Sequence, residues 1–262
     1  MKKKAALAAG YLSYATFLAV FIYFILFSGN LLVANTIDQG SSLDQPVAIA
    51  LNVLLIFLFG LQHSGMARGK FKLWWNKHFP KALQRSAYVF ITSLTLVGLM
   101  AVWRPLPQPV WTVQADWLRA IVWLMFGLGW LLVFVAAQLI NSRHLFGLQQ
   151  VKAFSRGKKA QPPHFQTPFL YRHVRHPMML GFLIAFWSVP TMSLGHLLFS
   201  IGLTAYILIG LRFEERDLAA NLGKVYQRYS KKVPMLLPVP GKSVDSKDLQ
   251  PDINLSASSG QD

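Results

Sequence analysis

The sequence predicts an all-α fold: a polytopic membrane helical bundle of about six transmembrane helices, with both termini cytoplasmic. Three observations predict it. The 262 residues are 53% hydrophobic and only 14% charged, against roughly 25% charged in soluble domains, and the mean hydropathy is +0.38. Apolar stretches of about 17–25 residues recur, the length that crosses a bilayer. They are continuous rather than alternating, which argues against a β-barrel. Lys and Arg gather in alternate loops, as the positive-inside rule requires.

The first span runs from about Ala9 to Val33, after Lys2, Lys3 and Lys4. Its apolar region is longer than the roughly 7–15 residues of a signal peptide, and no clear small-residue cleavage site follows. A retained span is therefore expected. The second span is about Pro46–Met66, the third about Ser86–Trp103 and the fourth about Trp117–Ile140. The fifth and sixth form a hairpin, about Met178–Val189 and Leu194–Leu211. It turns at Pro190-Thr191-Met192-Ser193, because a proline pushes the residue before it out of the α region. The fifth span reaches only about 20 Å at ~1.5 Å per residue, short of the ~30 Å hydrocarbon layer.

With six spans, 24 of the 26 Lys and Arg fall on one side, which becomes the cytoplasm. The loop from Asn35 to Gln45 carries Asp38 and Asp44 and no positive charge. The net charge of +16 is thereby assigned to cytoplasmic loops, without a nucleic-acid partner. One domain, residues 1–240, is expected. Residues 241–262 are Ser- and Asp-rich with few large apolar side chains, and read as a disordered cytoplasmic tail. Between Lys152 and Arg172 a basic, proline-containing segment reads as a lid. From Glu214 to Ser230 an amphipathic helix is expected, with Leu218, Leu222, Val225 and Tyr229 on one face. Its acidic first turn suits the helix dipole, and Val233-Pro234 ends it. No internal repeat is visible.

Several chemistries find no support. The chain has no cysteine, which excludes disulfides, thiolate metal sites and a Cys nucleophile. It has no H-E-x-x-H, no P-loop and no G-x-S-x-G elbow. The seven His do not fall at zinc-ligand spacings, and no metal site is expected.

Two motifs bracket the apolar hairpin: Arg175-His176-Pro177 before it and Glu214-Glu215 after it. Proline suits the first turn of a helix, so Arg175 and His176 stand at a helix N-terminus that favours an anion. An arginine anchoring a helix to lipid headgroups would satisfy the same spacing. Glu214 and Glu215 offer carboxylates for a ligand amine or hydroxyl, or simply balance a helix dipole. Gln62-His63-Ser64 ends the second span. Ionisable groups at that depth need partners or water and default to a functional reading, although a hydrogen-bonded packing histidine fits too. Asn141, His144 and Gln149-Gln150 line the mouth of the lid. Trp74, Trp75, Trp103, Trp111 and Trp117 read as interfacial belts.

The pattern R-H-P-M-M-L-G followed by E-E-R-D-L-A-A-N-L-G-K-V-Y-Q-R-Y-S-K-K-V-P, within residues 164–238, resembles the C-terminal signature of the isoprenylcysteine carboxyl methyltransferase-like membrane methyltransferases. Q-H-S-G-M-A-R, R-S-A-Y-V, L-F-G-L-Q-Q-V and G-F-L-I-A-F-W-S-V-P-T-M-S-L-G-H-L-L-F look more like the bacterial methanethiol S-methyltransferases, whose relatives include nurim-like and NnrU-like membrane proteins. The resemblance implies S-adenosyl-L-methionine as cofactor, in a cytoplasm-facing part spanning about 142–238. It implies His176, Pro177, Met178 and Met179 as a wall of that site, with Tyr171, Glu214, Glu215 and Gln150 as further contacts, and His164, Phe165 and Gln166 upstream. Met179 stands where the first pattern has Tyr, and Leu222 where it has Phe. The acceptor it implies is a small volatile thiol reaching the site through membrane lipid. A larger lipidic carboxylate or amine, or a nurim-like protein without catalysis, are the other members of that group. A thiol is attacked through its thiolate, so His63 and His176 are candidate bases and Arg175 a candidate source of positive field.

Overall fold

The computed structural model describes residues 3–161 and 165–244. Ten α-helices follow in order among the described residues: α1 Lys3–Ser28, α2 Gln45–Ala67, α3 Gly69–His78, α4 Gln84–Val102, α5 Asp116–Leu139, α6 Ser142–Leu145, α7 Leu148–Ser155, α8 Pro177–Trp187, α9 Leu194–Leu222 and α10 Lys224–Lys232. Short 3-10 turns precede α4 at Lys81–Leu83 and α8 at Phe169–Arg172. Two strands, β1 Pro109–Thr112 and β2 Thr191–Ser193, pair antiparallel.

Five helices are long and apolar enough to cross a membrane: α1, α2, α4 with its preceding turn, α5 and α9. The sixth expected span, α8, has 11 residues. Its early end has a chemical cause. The Phe186 carbonyl should accept from the backbone of residue 190, but Pro190 has no N–H. His196 Nε2 at 2.9 Å and Ser200 Oγ at 2.7 Å donate to that carbonyl instead. Both come from the buried face of α9, so one proline ends α8 and ties it to α9. Beyond it β2 runs extended, with Met192 and Ser193 buried.

The loop after α1 closes the same end of the bundle. Asn30 turns the chain with φ +54°, where its short polar side chain tolerates the left-handed region. It donates to Asp38 at 2.6 Å, and Asp38 N–H donates back to Asn30 Oδ1 at 3.1 Å. Ser193 Oγ donates to the same Asp38 carboxylate and accepts from His196 N–H at 2.9 Å, capping α9. Asn52 of α2 holds both backbone groups of Arg104, at 2.7 and 2.9 Å.

The core is aromatic. Trp130 of α5 meets Phe21, Phe24, Phe126, Phe182 and Phe186 edge-to-face, with centroids 5.4 to 6.2 Å apart, the geometry the ring quadrupoles favour. Helices α5 and α8 come closest at two glycines. A Cβ on Gly181 would lie 2.7 Å from the Gly129 carbonyl oxygen, and one on Gly129 would lie 2.6 Å from Ala185 N. Small residues that let backbones touch are how helices associate where lipid removes the hydrophobic drive.

Two expectations near the C-terminus are corrected. Glu214 does not begin a helix: α9 runs unbroken through it to Leu222, so dipole compensation at an N-terminus is not its role. The break comes at Gly223, with φ +57°, a conformation that glycine adopts without a Cβ clash. The phase resets there, and Tyr226 and Tyr229 are the residues of α10 that turn inward. They join Val233, Val244, Leu218 and Leu222 in a second small core. The ordered chain therefore continues past 241: Val244 N–H bonds Arg172 O at 3.1 Å. The remainder of the expected tail, 245–262, lies outside the described residues, as does His164.

Gly181→Ala should destabilise the bundle by about 1–3 kcal/mol through overpacking against a rigid backbone. Gly127→Ala, where an added Cβ meets nothing within 4 Å, should be neutral or stabilise by up to about 1 kcal/mol. Thermal unfolding of both variants in one detergent checks the pair; equal melting shifts would refute close α5–α8 contact.

Candidate functional site

The chain reaches α8 along a tether. Arg175 and His176 N–H bond the carbonyls of Pro234 and Met235 at 3.0 and 3.1 Å, so the segment after α10 runs beside the start of α8. Pro177 occupies the first helical position, as its spacing predicts. Arg175 grips Glu215 with both arms of its guanidinium, Nε to Oε1 at 2.9 Å and Nη2 to Oε2 at 2.8 Å. Nη1 donates to Ser230 O at 2.8 Å and Val233 O at 2.6 Å. Those are carbonyls at the end of α10, which helix geometry leaves without partners. The arginine is thus a clamp between α9, α10 and the mouth of α8. Expected as an anion corner or a field source, it is instead occupied by the chain's own carboxylate.

Glu215 has two further partners. Tyr226 O–H donates to Oε1 at 2.6 Å, and His176 Nε2 lies 2.6 Å from the same oxygen. Burial first, and then the bond to Glu215, pushes the Tyr226 phenol well above its ordinary range, so it stays a donor. With Nε2–H given to Glu215, His176 turns Nδ1 toward Glu214, 3.8 Å away. Glu215 and Arg175 are only 20% and 11% exposed, whereas Glu214 is 51% exposed. The two adjacent carboxylates, alike in sequence, therefore have separate employment: Glu215 belongs to the clamp, and Glu214 stays half exposed beside His176 Nδ1.

A second polar group lies inside the bundle. His63 of α2 sits 2.7 Å from Tyr88 Oη of α4, stacked on Phe59 at 5.6 Å and edge-on to Tyr206 at 6.2 Å. Ser64 Oγ donates to Tyr206 Oη at 3.5 Å. Arg85 covers the Tyr88 ring with Cζ 5.1 Å from its centroid and donates Nε–H to Leu145 O at 2.6 Å. That bond brings in the 144–150 segment. Gly147 there has φ +87°, and a Cβ on it would meet Ser86 N at 2.8 Å. Only glycine lets α4 start so close. His144 lies beside Arg85. Burial, then the Arg85 charge, lowers its imidazole below its ordinary value.

Glu214 connects the two groups. Its charge reaches Arg85, Tyr88 and Tyr206 on one side and Tyr171 on the other. The Tyr171 phenol is held well above its usual range, by burial first and then by Glu214. Its hydroxyl donates to Ala136 O at 3.4 Å, while its own carbonyl accepts from Tyr229 at 2.6 Å.

The chain matches the family model described as NnrU protein over residues 51–241. It belongs to the NnrU family. Relatives agree. The methanethiol S-methyltransferase 2 of Bradyrhizobium diazoefficiens is 50% identical over 229 residues, covering 86% of this chain and 87% of that protein. The methanethiol S-methyltransferase of Mycobacterium tuberculosis is 45% identical over 240 residues, 92% and 98% of the two chains. Nurim of Sus scrofa is 34% identical over 189 residues, 69% and 71% of the two. No solved structure matches.

On this NnrU chain the expected site residues distribute as follows. Pro177 is buried, and Met178 and Met179 pack against the main core at the start of α8. Phe165 packs on Tyr226 and Tyr229, at 6.1 and 5.4 Å. Gln166 is exposed. Gln150 donates to His144 O at 3.1 Å, but its Oε1 is buried without a partner among the described residues, as is Thr167 Oγ1. Arg85, Tyr88, Tyr206 and Tyr226 join these contacts without being among the residues that the sequence motifs single out. The signal was there for the first two: a basic residue and a tyrosine, three apart, in the first turns of a span.

Glu215→Ala should cost about 3 kcal/mol, because it leaves Arg175 without its counter-charge. Tyr226→Phe should cost about 1 kcal/mol, and Glu214→Gln should stay within about 0.5 kcal/mol. Thermal unfolding of the three proteins measures this ranking, and a Glu214 variant as unstable as the Glu215 variant would contradict the division of labour.

Proposed function

We propose that this chain is an integral-membrane S-methyltransferase that uses S-adenosyl-L-methionine to methylate a small thiol. Methanethiol is the first candidate, giving dimethyl sulfide and S-adenosylhomocysteine. The names and high identity of the relatives support the reaction, and five membrane-length helices suit a volatile substrate that partitions into lipid. We place both termini on the cytoplasmic side of a bacterial membrane, on the segregation of 24 of 26 Lys and Arg. The observation that carries the reading is the position of Glu214: outside the Arg175 clamp, half exposed, and 3.8 Å from His176 Nδ1 at the mouth of α8.

The residues present fit such a cofactor. Buried Gln150 Oε1 and Thr167 Oγ1 have no partner within the described chain, and a buried polar atom without a partner costs about 1–3 kcal/mol. A ligand carrying an amine and hydroxyls would satisfy them. Glu214 would pair with its amine, and Pro177, Met178, Met179 and Tyr171 would form the apolar wall. When bound, it supplies a methyl group activated by a positively charged sulfur.

The protein's own work is then orientation and deprotonation. The Arg175–Glu215–Tyr226 clamp fixes where α8 begins, and with it the side chains at positions 176–179. A thiol as acidic as cysteine is only a few per cent ionised at neutral pH, so a base beside the acceptor raises the share of the attacking thiolate. Holding donor and acceptor in line within a closed bundle supplies much of the rest.

Two measurements test this reading. Purified protein should bind S-adenosylmethionine, and Glu214→Ala should weaken binding roughly 10–100-fold, the value of about 1.5–3 kcal/mol for a charge-assisted bond. Cells carrying the intact protein and fed methanethiol should release dimethyl sulfide into the headspace, and cells carrying the variant much less. Donor binding without any dimethyl sulfide would overturn methanethiol as acceptor; absence of donor binding would overturn the methyltransferase assignment.

A further inference from the structure

We propose that Arg85 holds the methyl acceptor as its thiolate and that His63 receives the thiol proton; this rests on the S-methyltransferase reading above. The field that the sequence pattern suggests for Arg175 is unavailable there, since that guanidinium is spent on Glu215 and two carbonyls. Arg85 is differently placed. Among the described residues no carboxylate lies within ion-pair distance of it. Its Nε–H is bonded to Leu145 O and its face lies against Tyr88, while its two amino groups make no hydrogen bond to those residues. A half-buried cation with no hydrogen-bonded anion is costly unless something pairs with it.

The surroundings specify the anion. Arg85 lies over the Tyr88 ring, and His63, Phe59 and Tyr206 continue an aromatic cluster from it, a setting that suits a one- or two-carbon alkyl group better than a carboxylate. The Tyr88 hydroxyl lies 2.7 Å from His63 Nε2 and can turn to donate to the acceptor's sulfur. The titratable and charged groups that face Arg85 are His63 from α2, Lys72 from α3, Tyr88 from α4, His144 from α6 and Glu214 from α9. Lys72 adds to the positive field, and Glu214 is the one negative charge. The step is a proton transfer. The S–H bond breaks, its electron pair stays on sulfur next to the guanidinium, and the proton moves to the His63 ring nitrogen that the Tyr88 hydroxyl gives up as it turns. The thiolate then forms the new carbon–sulfur bond as the donor's sulfur takes back the electrons of the bond that breaks. The imidazolium later releases its proton to water.

The test uses full-length protein in lipid nanodiscs, with Arg85→Gln and Arg85→Lys beside the intact chain. Dimethyl sulfide formation is followed from neutral pH to about pH 10, and S-adenosylmethionine affinity is measured by calorimetry. Arg85→Gln should lose about 100-fold in kcat at neutral pH, as when one charge-stabilising donor is removed from an active site. The loss should shrink as pH rises toward the acceptor's own ionisation, because the thiolate then forms without help. Arg85→Lys should retain most of the activity and the intact profile, while donor affinity stays within about threefold in both. An Arg85→Gln loss constant across pH would overturn the proposal. So would a parallel fall of donor affinity in both variants, which would make Arg85 a packing residue. Intact protein that binds the donor but makes no dimethyl sulfide would instead sink the thiol reading, and this proposal with it.

Discussion

The bidentate pair between Arg175 and Glu215 is the contact on which the α8 mouth and the C-terminal helices of this molecule depend. Three segments distant in sequence meet there: the mouth of α8, the middle of the long helix α9, and the end of α10 with the strap that follows. Met178, Met179, Leu211, Met235 and Leu236 pack these segments onto the main core, and α10 joins them through a smaller one. The second core contains only a few buried side chains around Tyr226 and Tyr229. A guanidinium that satisfies one carboxylate and two helix-end carbonyls adds to what hydrophobic burial does there. Because Tyr226 and His176 share an oxygen of the same Glu215, the clamp also fixes which nitrogen of His176 carries a proton. Structure and protonation are set by one charge.

Inside the bundle the constraint is different. Where lipid offers no hydrogen bonds, each departure from regular helix must be repaired from within. Pro190 removes one donor, and His196 and Ser200 replace it. The extended stretch that follows is pinned by β1 and by the Asp38–Ser193 contact. Among the described residues, buried polar atoms without partners remain at both ends of the molecule: Arg104 Nε and His196 Nδ1 at this one, Gln150 Oε1 and Thr167 Oγ1 at the end carrying Glu214.

Much of this was legible in the sequence, and the failures have physical causes. Long apolar runs locate five of the helices, because a bilayer sets length and composition together. The proline at 190 marks the hairpin. Nothing in the periodicity reveals that α9 continues past its apolar stretch through Glu214, since helix propagation does not stop where lipid does. The break at Gly223 shifts the inward face of α10 from Val225 to Tyr226, an offset that a stripe counted from Glu214 cannot anticipate. Arg175, His176 and Glu215 were recognisable as a set, but their partnership was not. Spacing predicts that an arginine and a carboxylate lie at the same membrane face; it does not say whether they await a ligand or hold each other.

That ambiguity also explains why the two glutamates had to be separated by geometry. Adjacent residues on a helix point about 100° apart, so Glu214 and Glu215 meet His176 at different ring nitrogens, and Glu215 is the one paired with Arg175. Rotation of α9 gives one to the clamp and turns the other toward His176 Nδ1. A single carboxylate performing both tasks would be neutralised by Arg175 and lost to any cationic ligand. Two side by side let the protein keep a fixed, internally paired charge as a framework and hold an adjacent one in reserve. The same logic applies to the cations. Arg175 is paired, and Arg85, supported by a carbonyl and a ring, keeps its charge uncommitted. The uncommitted pair, Glu214 and Arg85, carries opposite charge within electrostatic reach across one space. A positively charged methyl donor and a negatively charged acceptor need just such a pair of unlike, unspent charges to be drawn together.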